Sequence, residues 1–122
     1  MVPTTHNPEV WTEEACHEQV ISAVRRGIVE SVSQVLKDDQ VKVVVFCGEN
    51  RIFCGGADIK EFSGSMSGPP LVPMIHSIEA SEKLMVAAIE GVALGGGLEL
   101  ALGCHYRVAN TKVKHTLTYR WF

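Results

Sequence analysis

Residues 91–104 read GVALGGGLELALGC, and this stretch decides the fold that we expect. Three consecutive glycines at 95–97 precede a run of good helix formers at 98–102. We predict a strand that ends near Glu90, then a tight glycine turn, and then a helix that opens at about Gly97. Glycines in such a turn permit a positive φ and allow a ligand to approach the backbone closely.

Glu99 is the one acidic residue of this stretch, and it falls in the first turn of the predicted helix. The first turn of a helix has unpaired N–H groups and the positive end of the helix dipole, and both favour negative charge. Donors for an anion and a carboxylate that can move a proton would then lie within one turn. An alternative stays open, in which Glu99 only complements the dipole and the glycines only allow close packing.

A second glycine turn lies upstream, in residues 52–62, which read IFCGGADIKEF. Here a short strand runs into Gly55 and Gly56 and then into a segment with helical character. Backbone N–H groups around Ala57 would be exposed at the end of this strand, where ligands collect in α/β folds. Taken alone, the glycine pair could also be a simple bend.

The rest of the chain is expected to alternate between helices and strands. Apolar residues at helical spacing predict a helix over 13–37, with Gly27 as the one position that could interrupt it. Its apolar stripe consists of Ile21, Val24, Ile28, Val32, Val35 and Leu36, while Arg25, Arg26, Glu30 and Lys37 fall off the stripe. We further predict buried strands at 41–47 and 84–89, a short strand at 104–109, a loop at 63–73 and a helix at 74–83. Repeated βα units favour an α/β fold with mostly parallel strands, in which both glycine turns lie at the same edge of one sheet.

Length and composition indicate one globular domain of 122 residues, 46% hydrophobic and 20% charged. The net charge of −3 gives no sign of a nucleic-acid partner. No apolar run reaches membrane-spanning length and the first residues lack an apolar signal segment, so neither a membrane span nor a targeting peptide is predicted. The four cysteines, Cys16, Cys47, Cys54 and Cys104, form no CxxC pair and are expected to be reduced thiols.

Other chemistries of glycine-rich loops are not supported by the motifs present. The sequence contains no GxxxxGKS/T, GxGxxG, GxSxG or HExxH pattern, so the signals for nucleotide binding, a hydrolase nucleophile or a zinc protease are missing. The histidines are scattered, and no metal site is predicted. Two converging backbone donors beside a carboxylate instead describe an oxyanion hole with an acid/base group. Such a site suits a carbonyl whose oxygen becomes negative in the transition state, for example a thioester enolate.

Residues 53–61, FCGGADIKE, and 87–101, AAIEGVALGGGLELA, together resemble the enoyl-CoA hydratase/isomerase (crotonase) family. The continuation at 100–109 looks most like the hydratase part of bifunctional β-oxidation enzymes. The resemblance implies a crotonase-like α/β fold of repeated ββα and βα units with mostly parallel strands, here incomplete. It divides the single partial domain into a recognisable core at 41–110, an N-terminal helical segment at 1–40 and a divergent tail at 111–122.

The resemblance also implies the roles of individual residues. The N–H groups of Ala57 and Gly96 would form the oxyanion hole for the acyl thioester oxygen. Backbone groups would contact coenzyme A at Ala57, Asp58, Ile59, Gly95 and Gly96. Glu99 would be one of two glutamates that hold and split the water added across the 2,3 double bond of an enoyl-CoA. The coenzyme A thioester would be the substrate, with no separate cofactor and no metal.

The chain departs from the family pattern at the second glutamate, which in the family stands in a Leu-Pro-Glu context. Here the corresponding region is TLTYR at 116–120, and no acidic residue follows Glu99. The N-terminal hairpin motif of the family is also missing from residues 1–20. Isomerisation of a 3-enoyl-CoA needs only one base, but in family isomerases that base resembles the missing glutamate.

Two hypotheses follow for function. The first is enoyl-CoA hydration in fatty acid β-oxidation, with Glu99 as general acid/base. The second is a catalytically incomplete chain that only binds acyl-CoA or does not fold alone. The resemblance implies a peroxisomal location, although the chain shows no targeting signal and would otherwise be cytoplasmic. It leaves acyl chain length and oligomeric state open.

Overall fold

The computed structural model describes residues 22–55 and 68–116, the last three by their backbone only. The elements are α1 (Ser22–Leu36), β1 (Val43–Cys47), α2 (Leu71–Glu79), β2 (Leu84–Ile89), β3 (Val92–Leu94), α3 (Gly96–Gly103), β4 (Tyr106–Ala109) and β5 (Lys114–Thr116). Outside these residues lie the predicted start of the first helix at 13–21, the helix-like segment after Gly55, and the tail from 117 on.

The described strands form two parallel sheets, whereas the sequence predicted one. β1, β2 and β4 make the first sheet with β2 in its centre, and β3 pairs with β5 in the second. The sequence missed β3, which follows β2 after a turn at Gly91, where φ is 70°. An isolated parallel bridge joins Cys54 to Ala93 of β3. Because Gly95 follows β3, the glycine turn lies at the end of the second sheet and not of the first.

The core lies between the helices and one face of the first sheet. Phe46, Met85 and Ala87 point their side chains into it and are fully buried. They pack with helical residues in one cluster that includes Ile28 and Val32 of α1, Met74 and Ile78 of α2, and Leu100 and Ala101 of α3. The cluster therefore joins all the described helices to the sheet.

The opposite face of the first sheet corrects the prediction of fully buried strands. Val43 pairs with Leu84, and they are 40% and 37% exposed. Every residue of β4 is exposed, including the apolar Tyr106 and Val108. Parallel sheets are usually covered on both faces, but the part of the chain described here covers only the one that faces the helices.

Helix α1 runs without a break through Gly27, but its buried side differs from the predicted stripe: Arg25 and Ser31 are buried, whereas Leu36 is 41% exposed. Arg25, expected off the stripe, is 1% exposed. Its Nε–H donates to the carbonyl oxygen of Pro69 at 2.7 Å. Burial of an arginine requires such partners, so Arg25 links α1 to the segment that leads into α2. At the C-terminal end of α1, Lys83 Nζ donates to Val35 O at 2.5 Å and also to Asp38 O.

Helix α2 begins at Leu71 and ends at Glu79. Compared with the predicted helix at 74–83, its start lies three residues earlier and its end four residues earlier. The predicted loop at 63–73 overlaps this start because it contains Pro70 and Pro73. Proline is tolerated in the first turn of a helix, where its missing N–H would be unpaired in any case. None of the helices within 22–55 and 68–116 is long and apolar enough to span a bilayer.

Candidate functional site

The glycine turn between β3 and α3 has a conformation that requires glycine. Gly95 has φ 48° and ψ −125°, which L side chains rarely adopt. Helix α3 starts at Gly96, one residue before the predicted start, and Gly96 and Gly97 are both buried. The turn therefore brings the helix N-terminus directly against the end of β3.

The N-terminus of α3 keeps backbone donors available. Glu99 N–H donates to Gly95 O at 3.0 Å, the first bond of the helical ladder. The N–H groups of Gly96, Gly97 and Leu98 therefore have no acceptor inside the helix, and no side chain caps this end. Among the described residues, Gly96 N–H has no backbone acceptor either. Together with the positive end of the helix dipole, these N–H groups can bind a negatively charged oxygen.

Glu99 lies three residues after Gly96, and residues at this spacing share one face of a helix. Its side chain is half-buried, and loss of solvation raises the pKa of its carboxyl above the ordinary value. The helix dipole was expected to favour the charged form, whereas burial favours the neutral form. A raised pKa brings the group closer to the range in which it can both give and accept a proton.

The first glycine motif reaches the site along β3. Phe53 N–H donates to Glu90 O at 2.9 Å and Cys54 N–H donates to Val92 O at 3.0 Å. In return, Leu94 N–H donates to Cys54 O at 3.0 Å. Residues 53 and 54 are thus hydrogen-bonded to β3, the strand that leads into the glycine turn, and Cys54 lies three residues before Ala57.

The structure brings Gly95, Gly96 and Glu99 into one helical turn, as the sequence predicted for these three. The other predicted site residues, Ala57, Asp58 and Ile59, lie outside the described residues. Their shared site with Gly96 therefore stays a prediction. No group of His, Cys, Asp or Glu side chains in the described part of the chain is arranged to hold a metal ion.

The C-terminal end of α3 holds polar groups of a different kind. Burial raises the pKa of the Cys104 thiol to about 11, partly offset by the nearby charge of Arg107. A raised pKa favours the protonated thiol at neutral pH, the less nucleophilic form. Arg107 Nη1 donates to Cys104 O at 2.8 Å and to Ala101 O and Leu102 O at 3.4 Å. This cap was not predicted from the sequence, although a basic residue just past a helix is a known signal for one.

His105, in the link between α3 and β4, makes polar contacts with β2 and with the last residue of α2. Its Nδ1 accepts from Met85 N–H at 3.0 Å, and its Nε2 lies 3.0 Å from Glu79 O. Its backbone N–H also donates to Met85 O at 2.9 Å. Both ring nitrogens are engaged with backbone, so this histidine has a structural role and is not available for catalysis.

Comparison with known proteins matches this arrangement to one family. The family model described as enoyl-CoA hydratase/isomerase matches residues 17–120. A peroxisomal bifunctional enzyme from Danio rerio is 61% identical over 93 residues, which cover 76% of this chain and 13% of that protein. The protein of the same name from Cavia porcellus is 47% identical over 95 residues, covering 75% of this chain and 13% of that protein.

Solved structures agree with the sequence comparison. The enoyl-CoA hydratase from Bacillus anthracis superposes with a TM-score of 0.75 at 29% identity, over 88% of this chain and 44% of that one. The chain therefore spans less than half of this solved relative and about an eighth of the curated ones. With a family model that covers most of its length, the chain belongs to the enoyl-CoA hydratase/isomerase (crotonase) family.

Proposed function

We propose that this chain binds an acyl-CoA thioester at the N-terminus of α3 and carries part of the machinery of enoyl-CoA hydration. The single observation that carries the proposal is the turn Gly95–Glu99. It combines a glycine-only conformation, a buried Gly96 N–H without a backbone acceptor among the described residues, and a carboxyl whose pKa burial raises. Family membership supplies the substrate class, since the relatives are named for enoyl-CoA chemistry.

In the proposed reaction, the thioester oxygen accepts hydrogen bonds from Gly96 N–H and from Ala57 N–H. Water adds its oxygen to C3 of the 2-enoyl-CoA, and the electron pair of the double bond moves toward the carbonyl to give an enolate. The two donors stabilise the enolate oxygen, and each such donor is typically worth about 3–4 kcal/mol of transition-state stabilisation. A proton then reaches C2, so that one molecule of water is consumed and the 3-hydroxyacyl-CoA is formed.

Glu99 is proposed to hold the water and move a proton in this reaction. Its raised pKa supports that role because general acid/base groups work best with a pKa near the operating pH. We further propose a β-oxidation setting and a peroxisomal location, since the matched relatives from Danio rerio and Cavia porcellus are named as peroxisomal.

A second candidate is binding of acyl-CoA without turnover. It is favoured by one observation: residues 116–120 read TLTYR, without an acidic residue, at the place where the family pattern has its second glutamate. A hydratase with two glutamates divides the proton transfers between them, whereas Glu99 alone would have to carry both. The donors of Gly96 and Ala57 do not depend on the second carboxylate, so binding would persist.

The two candidates are separated by measuring binding and turnover on the same purified chain. Calorimetry with crotonyl-CoA reports binding, and loss of enoyl absorbance reports hydration. For a hydratase, Glu99→Gln should lower kcat by about 10²- to 10⁴-fold with little change in binding. Glu90→Gln is the matched control, since Glu90 is an exposed glutamate nine positions earlier whose Oε1 lies 3.9 Å from Arg51 Nε.

Saturable binding with a rate that Glu99→Gln leaves unchanged contradicts the catalytic role and supports the binding role. Absence of saturable binding in a folded chain contradicts both.

A further inference from the structure

The third glycine of the turn is in unusually close contact with the first glycine motif. A Cβ atom at Gly97 would lie 2.7 Å from both the carbonyl oxygen and the Sγ of Cys54, and closer still to its Cβ. Such distances are well inside normal packing contact. Gly97 therefore allows the backbone of α3 to lie directly against Cys54, which is itself buried.

Cys54 cannot easily move away from this contact. Its N–H donates to Val92 O and its carbonyl oxygen accepts from Leu94 N–H, both at 3.0 Å. A parallel bridge also pairs it with Ala93, which is fully buried. Displacing Cys54 would break hydrogen bonds of a buried strand, and each buried polar group left without a partner is costly. An atom added at Gly97 would therefore move the first turn of α3 instead.

The position of this contact in the chain gives it a functional meaning. Gly97 directly follows Gly96 and precedes Glu99 by two residues, while Cys54 precedes Ala57 by three. Within the described residues, this is the point where the segment leading to the first motif meets the helix that carries the second. The separation of the two segments at this point sets the distance between Gly96 N–H and the backbone donor that we propose for the first motif.

We propose that Gly97 and Cys54 are positioning residues, whose contact sets the spacing between the two halves of the acyl-thioester site. The proposal rests on the proposed function, and it assigns neither residue a contact with the substrate. A shift of about 1 Å in a reacting geometry can reduce the rate about 10²-fold. The contact therefore acts on catalysis through the placement of Gly96 N–H and Glu99.

The chain contains a matched control for this contact. Gly103 lies at the other end of the same helix, and a Cβ there would lie 2.5 Å from Cγ2 of Ile75. Gly97→Ala and Gly103→Ala thus add the same methyl group to the same helix, but one neighbouring atom lies within 3 Å of it at Gly103, whereas three atoms of Cys54 do so at Gly97. The neighbour at Gly103 is a single methyl group of a side chain, whereas the neighbours at Gly97 include a hydrogen-bonded carbonyl.

The experiment compares the parent chain with both variants, using crotonyl-CoA for turnover and the chromophoric enoyl thioester dimethylaminocinnamoyl-CoA for binding. Polarisation of the thioester carbonyl moves the absorbance of this chromophore to longer wavelength. We expect Gly97→Ala to lower kcat about 10²-fold and to remove most of the shift, with Kd changed less than about threefold. Gly103→Ala should keep both signals near those of the parent. Equal losses in the two variants, or a Gly97→Ala chain that retains the shift, would overturn the proposal.

A second measurement makes the result independent of activity. Hydrogen exchange of the Glu99 amide reports its bond to Gly95 O in the first turn of α3, and it should become about tenfold faster in Gly97→Ala but not in Gly103→Ala, whereas the Leu94 amide, bonded to Cys54 O, should keep its rate. If the parent neither binds nor hydrates an enoyl-CoA, the proposed function fails while this comparison still decides the positioning contact. Unchanged exchange of the Glu99 amide in Gly97→Ala would overturn it. If Gly97→Ala does not fold, Gly97→Ala/Cys54→Gly is compared with Cys54→Gly, and a loss of shift or faster Glu99 exchange is again required.

Discussion

The two ends of helix α3 differ in whether their unpaired backbone groups have hydrogen-bond partners. At the N-terminal end, Gly95 turns the chain without a side-chain cap, and Gly96 N–H has no acceptor within the helix. At the C-terminal end, Arg107 donates to Cys104 O and two preceding carbonyl oxygens, and Cys104 N–H donates to Ala101 O. Unpaired groups at a buried helix end are costly unless something binds them. The carbonyl oxygens at the C-terminal end are thus capped within the fold, whereas the N–H groups at the N-terminal end are the ones we propose to bind the thioester oxygen.

The largest stability change is expected from a substitution at the N-terminal end. Gly95→Ala places a Cβ on a residue with φ 48° and ψ −125°, and we expect it to destabilise the fold by about 1–3 kcal/mol. Urea unfolding followed by circular dichroism measures the change. Gly27→Ala is the control, since Gly27 lies inside α1, where alanine is favoured over glycine by about 1 kcal/mol. A Gly95→Ala chain as stable as the parent would show that the turn does not require its glycine.

A smaller change is expected at the other end. Arg107→Ala removes the donor to the last carbonyl oxygens of α3 and a positive charge at the negative end of its dipole. We expect a loss of about 0.5–1 kcal/mol, with no change in Kd for crotonyl-CoA. Arg107→Lys keeps the charge and should recover part of the loss. Weaker acyl-CoA binding in Arg107→Ala would contradict the division of roles between the two ends.

The sequence predicts a feature of this region well when neighbouring residues determine it, and poorly when contacts with distant residues do. The start of α3 was predicted to within one residue because the glycines and the helix formers after them are adjacent in the chain. Strand β3 was missed because it is only three residues long and is defined by its pairing with Cys54 and with β5, which are distant in sequence. The same reason applies to Arg25, whose burial depends on a carbonyl oxygen 44 residues away.

In the candidate site, too, the features set by neighbouring residues were predicted and those set by distant contacts were not. Gly95, Gly96 and Glu99 are neighbours in the chain, so a motif was enough to predict that they share one turn. The contact between Gly97 and Cys54 joins residues 43 positions apart and leaves no local signal in either segment. The raised pKa of Glu99 was also missed, because the dipole can be predicted from the helix alone whereas burial depends on the packing around it.

The smallest expected effect is the pH dependence of stability that Glu99 confers on the N-terminal end. Burial raises the pKa of its carboxyl in the folded state above the value in the unfolded chain, so the folded state binds the proton more tightly. Stability linked to this group is therefore fully present below the unfolded pKa and is lost as pH rises through the raised folded pKa. Glu99→Gln cannot ionise, so it should be more stable than the parent at pH 7, and this advantage should shrink at acidic pH. Thermal unfolding from pH 4 to pH 7 measures the difference, with Glu90→Gln as the exposed control. An advantage of Glu99→Gln that instead grows toward acidic pH would mean that the helix dipole, and not burial, dominates at Glu99.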